Sequence, residues 1–142
     1  MLLMIRRLFM LLVRPSFTRL GVFPTSADTV AAAAVTLTAA AGIWTWGAWI
    51  QIVAAVGVTA DTQVTGLTME NFVGAPSQGE VGIAIGAGGA EVELARVPAA
   101  NGYYTFPAAI LVNAATRVSA RYRTSTGIAD TVDAKLLTAA GI

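Results

Sequence analysis

The run Glu80-Val81-Gly82-Ile83-Ala84-Ile85-Gly86-Ala87-Gly88-Gly89-Ala90-Glu91-Val92-Glu93-Leu94-Ala95-Arg96-Val97 holds two short apolar-rich segments on either side of a glycine cluster. Glu91-Val92-Glu93-Leu94 alternates polar and apolar side chains, the period of a strand with one buried face. Ala87-Gly88-Gly89 supplies the backbone freedom of a hairpin turn between them. Gly86, Gly88 and Gly89 do not form a dinucleotide fingerprint, because Glu91 stands where its third glycine would be and a strand follows instead of a helix. No Gly-Lys-Ser/Thr occurs, and the sole lysine is Lys135.

The same punctuation recurs on both sides. Candidate strands run over 48–58, 63–73, 80–86, 90–97, 104–112, 115–123 and 130–138. Gly74-Ala75-Pro76-Ser77-Gln78-Gly79, Asn101-Gly102 and Thr124-Ser125-Thr126-Gly127 mark the bends. Strand spacing of about ten residues with no βαβ rhythm predicts an all-β fold. The expectation is an antiparallel β-sandwich of about seven to eight strands, jelly-roll or Greek-key in topology, over residues 28–142.

Composition narrows the chemistry. The 142 residues are 56% hydrophobic and 12% charged, with 9 Lys+Arg against 8 Asp+Glu, no cysteine and no histidine. A chain this long buries enough surface to fold without a metal or disulfide. The missing residue types remove cysteine and histidine nucleophiles, the usual general base, and zinc, haem or iron–sulfur sites built on those ligands. Mean hydropathy of +0.68 is high for a domain surrounded by water. The expectation is a non-enzymatic protein with no cofactor and no metal, whose apolar surface ends against partners.

Residues 1–27 form a basic, apolar arm with Arg6, Arg7, Arg14 and Arg19 and no acid. The apolar run from Leu8 stops at Arg14-Pro15, too short and wrongly flanked for a secretory signal. An extended or helical arm laid on a neighbouring subunit, with Phe9 and Phe17 as apolar anchors, is the preferred reading. A short helix on its own domain and a membrane-surface helix are the others. Residues 29–60 carry no charge, but Gly42, Gly47 and Gly57 and several threonines argue against a membrane span. From Trp44 to Val58 one parity is apolar, which predicts a strand. Val35-Thr36-Leu37-Thr38 favours an extended segment.

Three groups of side chains are candidate contacts. On the strand at 115–123, Arg117, Ser119, Arg121 and Arg123 share one side and Val118, Ala120 and Tyr122 the other. The guanidiniums can take a partner's carboxylates or phosphates, or pair with Glu91, Glu93, Asp130 or Asp133 on neighbouring strands. One lysine and a net charge of +1 leave little footprint for nucleic acid. Trp44 and Trp46 share a face that Trp49 opposes; they are core or interface anchors, or a platform for sugar rings. Glu91 and Glu93 have a spacing near that of an inverting glycosidase, without any sign of the raised pKa an acid catalyst needs.

Trp44-Thr45-Trp46-Gly47-Ala48-Trp49-Ile50-Gln51-Ile52-Val53, Val81 to Val92, Thr116 to Arg123 and Asp130-Thr131-Val132-Asp133 resemble a small structural protein of tailed bacteriophage particles. The likeness spans about residues 40–138 and excludes the arm. It implies a β-sandwich mounted on a virion, with no catalytic residues to carry over. The expected role is a capsid decoration or cement protein that contacts major capsid or tail proteins and its own copies, in symmetric clusters such as trimers. The alternatives are a tail or head fibre module that binds a host glycan through its tryptophans, and a membrane-associated protein anchored by residues 1–14 and 29–60.

Overall fold

Alternating side chains force each strand to choose a face, and the structure, a computed structural model, shows where the choices lead. It describes residues 19–23, 34–58, 60–74 and 78–140. Nine strands follow one another: β1 (Arg19–Phe23), β2 (Val35–Thr38), β3 (Ile50–Val53), β4 (Thr62–Val73), β5 (Gly79–Ile85), β6 (Val92–Pro98), β7 (Gly102–Val112), β8 (Val118–Thr124) and β9 (Thr131–Ala140). One sheet has the order β1-β9-β4-β7, with β2 also on β9; the other is β3-β8-β5-β6. Every pairing is antiparallel. Among the described residues the only helical element is a 3-10 turn at Ala55–Gly57, and no helix is long and apolar enough to cross a membrane.

The two sheets share one core. Val64, Leu67 and Met69 of β4, Val132, Ala134 and Leu136 of β9, Val81 and Ile83 of β5, and Val118, Ala120 and Tyr122 of β8 point into it. Leu37, Ile52, Val97, Phe106 and Val112 complete it from the outer strands. At about 25 cal/mol per Å² of apolar surface removed from water, this burial is the main favourable term in folding. The hairpin between β5 and β6 turns on Gly86 and Gly89, both at positive φ, where a side chain would strain the backbone.

Two stretches depart from simple alternation. The run 44–58 is not one strand: only Ile50–Val53 is, and Val56, on the expected buried parity, is 86% exposed in the 3-10 turn. The backbone explains it. Trp44 has φ 56, and Gly47 lies so close to the Thr38 carbonyl that a Cβ would sit 1.8 Å from it. That approach lets the Gly47 and Trp44 amides donate to the Tyr122 and Thr124 carbonyls at 2.9 and 2.8 Å, so the segment runs along β8 without strand geometry. In β7, Thr105 lies opposite Gly66 and Ile110 opposite Val64. Residues 106–109 therefore bulge from the edge, which accommodates Pro107 and its missing donor.

The arm also differs from its expectation. Its described part, β1, pairs with β9 of its own chain, Arg19 opposite Ala140. Arg6, Arg7, Phe9, Arg14 and Phe17 lie outside the described residues.

One end of the core is polar. Asp130, 1% exposed, accepts a hydrogen bond from the Thr124 hydroxyl at 2.7 Å and another from the Thr126 hydroxyl. Tyr122 is buried beside Phe72, and its hydroxyl has no hydrogen-bond partner. Burial, and after it the charge of Asp130, push its phenol up to about 12 from 10.0. The folded state thus favours the neutral phenol. Tyr122 costs the fold no stability below pH 10; between pH 10 and 12 the unfolded chain gains by ionising and the fold weakens. Tyr122→Phe removes a hydroxyl that makes no bond, so thermal melts should show a variant at least as stable at pH 7 and less sensitive to pH between 10 and 12.

Candidate functional site

On the outer face of the four-stranded sheet the middle positions are small: Gly82 and Ala84 of β5 and Ser119 of β8. Long side chains from the surrounding positions can lie flat across them. A Cβ on Gly82 would sit 3.2 Å from a Glu93 carboxylate oxygen and 3.5 Å from both the Arg121 Cγ and Trp46. Arg121 and Arg123 project there from β8, and Arg117 from the residue just before it, as their alternation with Val118, Ala120 and Tyr122 requires.

Each arginine is held by a carboxylate. Arg117 Nη1 donates to Glu91 Oε1 at 2.9 Å, and its Nε donates to Gln51 at 3.1 Å. Arg121 Nη2 donates to Glu93 Oε2 at 2.5 Å, and Arg96 donates to the other Glu93 oxygen. Arg123 gives two hydrogen bonds to Glu80 Oε2, at 2.9 and 2.5 Å. Register sets this pattern, since Glu80 faces Arg123 and Gly82 faces Arg121 across the β5–β8 pairing.

The indoles fill the spaces between the guanidiniums. Arg121 lies 4.2 Å from the Trp49 ring and 4.5 Å from the Trp46 ring. Arg123 lies 4.4 Å from Trp46 and 5.4 Å from Trp44. The result is an alternating stack, Trp49–Arg121–Trp46–Arg123–Trp44, clamped at its edge by Glu93 and Glu80. All three tryptophans meet the same row of arginines, so the expected opposition of Trp49 to the other two is corrected: the irregular backbone through Gly47 rotates it onto the shared face. Each such contact contributes about 0.5–2 kcal/mol, more where water is excluded.

This arrangement resolves what the basic stripe does within the chain. Its arginines answer Glu80, Glu91 and Glu93. Of the acids weighed from sequence, Asp130 is instead buried at the core's end and Asp133 accepts from Thr36 and Asn71. Glu80 escaped the sequence reading; its parity relative to Val81 and Ile83 was the available signal. The carboxylate pair is not poised to donate protons. Burial alone would raise Glu93, but hydrogen bonds from Arg96 and Arg121 outweigh it and hold the carboxyl below the ordinary 4.5. Glu91 is likewise held down: the desolvation that would raise it is outweighed by backbone hydrogen bonds and Arg117.

A double-mutant cycle on Trp46→Ala and Arg121→Ala, read by denaturant unfolding, should give a coupling of about 0.5–2 kcal/mol. Trp46→Ala should be the costliest of the three tryptophan truncations, because that ring alone touches both stacked arginines. Carboxyls held below 4.5 contribute stability above that pH, and it is lost as pH falls through their folded values. Acid titration followed by near-UV circular dichroism should therefore show the tryptophan signal loosening below pH 4.5, with a shallower slope in Glu93→Gln. Comparison of the chain with protein-family models, with curated proteins and with solved structures finds no match.

Proposed function

We propose that this chain is a jelly-roll structural subunit of a bacteriophage particle, a decoration or cement protein acting through contacts rather than chemistry. The observation that carries the reading is the pairing order. β2 pairs with β9, β3 with β8, β4 with β7 and β5 with β6, while β4–β9 and β5–β8 join these nested pairs into two sheets. An eight-strand antiparallel hairpin rolled up in this way is the jelly roll, a recurrent architecture of viral capsid domains. The step from architecture to particle is an argument by analogy, joined to the resemblance in the tryptophan, hairpin and arginine segments.

The surface supports a contact role. β2 packs near β3 and β8 at one flank, which leaves β6 and β7 as the open edges at the other among the described residues. Along those edges Val92, Leu94 and Leu111 are 60%, 41% and 59% exposed. Apolar side chains displayed along one flank are the raw material of a subunit contact. A subunit that binds the assembled shell and not its separated parts stabilises it by mass action, multiplied over many copies. The rigid Trp–Arg stack would keep the opposite layer from deforming when the flank is loaded.

The reading predicts association. Sedimentation velocity should show a closed oligomer for the native chain and a monomer for Leu94→Lys with Leu111→Lys, while labelled antibody should decorate particles in micrographs. A native chain that remains monomeric and never co-purifies with particles would refute it.

A further inference from the structure

We infer that the outer face of the five-stranded sheet carries a carbohydrate site, a shallow groove that takes a single uncharged pyranose ring against Tyr103. The inference does not depend on the virion reading, and the site is separate from the tryptophan stack, which lies on the other sheet. The groove encloses about 270 Å³ and is lined by residues of three adjacent strands and one turn, among them Thr68, Glu70, Asn101, Tyr103, Lys135 and Leu137. Register builds it: Thr68 of β4 lies between Tyr103 of β7 and Lys135 of β9. One row further, Gly66 lies opposite Leu137, leaving room for the leucine to form an apolar end.

Four features select the ligand. Tyr103 is the most exposed aromatic ring among the described residues, 82% open, and offers a flat apolar face beside polar groups. Thr68 lines the groove, and its hydroxyl is shielded from solvent without a hydrogen-bond partner; a turn about its Cα–Cβ bond would present that hydroxyl to a ligand and gain it a bond. Lys135 Nζ and Glu70 Oε1 are 3.0 Å apart, so the rim carries both a donor and an acceptor while its charges cancel. That disfavours phosphates and other anions and suits neutral neighbouring hydroxyls. Finally, β4 is hydrogen-bonded on both sides, to β7 and β9; a peptide cannot add to the sheet here as a strand, and recognition must go through side chains. A pyranose meets all four conditions, with C–H groups for the tyrosine face and hydroxyls for Thr68, Glu70, Lys135 and Asn101. The volume, just under the roughly 300–1,000 Å³ of drug-sized sites, fits one ring.

The test is titration of the isotopically labelled chain with a panel of neutral methyl pyranosides (gluco, galacto, manno and N-acetylglucosamine), followed by amide and indole N–H shifts. The expected result is millimolar binding of at least one sugar, with shifts confined to the groove ends of β4, β7 and β9. Tyr103→Ala and Thr68→Val should each weaken it about tenfold or more, a loss of about 1.4 kcal/mol. Tyr103 is exposed and Thr68→Val keeps shape, so both variants should retain the native spectrum elsewhere. No saturable shift with any sugar, shifts centred on the Trp44, Trp46 and Trp49 indoles, or undiminished binding by Tyr103→Ala would each overturn the site.

Discussion

The constraint on which the fold rests is that its ends must meet. β9 is the last of the described strands, yet it lies between β4 on one edge and β1 and β2 on the other. Its inward residues Val132, Ala134 and Leu136 are fully buried. Until β9 arrives, β4 has an open edge and half of one sheet's core face is missing. β3 and β8, and β4 and β7, likewise join distant parts of the chain. Such non-local pairing makes loop closure the main kinetic cost of folding and leaves open edges during assembly. Among the described pairings only the β5–β6 hairpin, closed by Gly86 and Gly89, is local.

The two sheets solve the problem of their second faces in different ways. The four-stranded sheet covers its outer face with its own long side chains, using scarce charge economically. The five cations Arg96, Arg117, Arg121, Arg123 and Lys135 are all in ion pairs. Four of them lie on this one face, where three of the four also pack against indoles. An exposed ion pair is worth little. Stacking fixes the guanidiniums before they bond, so less freedom is lost for each hydrogen bond formed. Among the described residues the outer face of the five-stranded sheet has no such cover, and its most exposed ring, Tyr103, stands beside a hydroxyl without a partner.

Much of this was legible in the residues themselves. The strands from β4 to β9 follow from alternation bounded by glycine turns, and the division of β8 into an arginine side and a core side needs only the period of two. The β-branched Val35-Thr36-Leu37-Thr38 correctly announced β2. What local pattern could not convey was backbone exceptions and register. Trp44 at positive φ and the close approach of Gly47 to Thr38 turn an apparent long strand into a short one and bring Trp49 onto the face of Trp46. The Tyr103 groove was invisible for a related reason: Thr68, Tyr103 and Lys135 are far apart in sequence and become neighbours only once three strands are aligned.

The open flank shows how association can be permitted without becoming unlimited. Edge strands invite any other strand to add to them. Here both are interrupted: Leu94 is an extra residue between Ala95, opposite Ile83, and Glu93, opposite Ala84, and residues 106–109 bulge from β7 around Pro107. Pro98 ends β6 without a donor. At these two edges a second copy could pair over only a few residues before the register breaks, so strand-to-strand growth is opposed there. What remains exposed is side chains, Val92, Leu94 and Leu111 among them, and side-chain packing is specific to shape in a way that backbone pairing is not. On the proposed role this matters directly, because a shell component has to recognise one neighbour in one orientation and stop there.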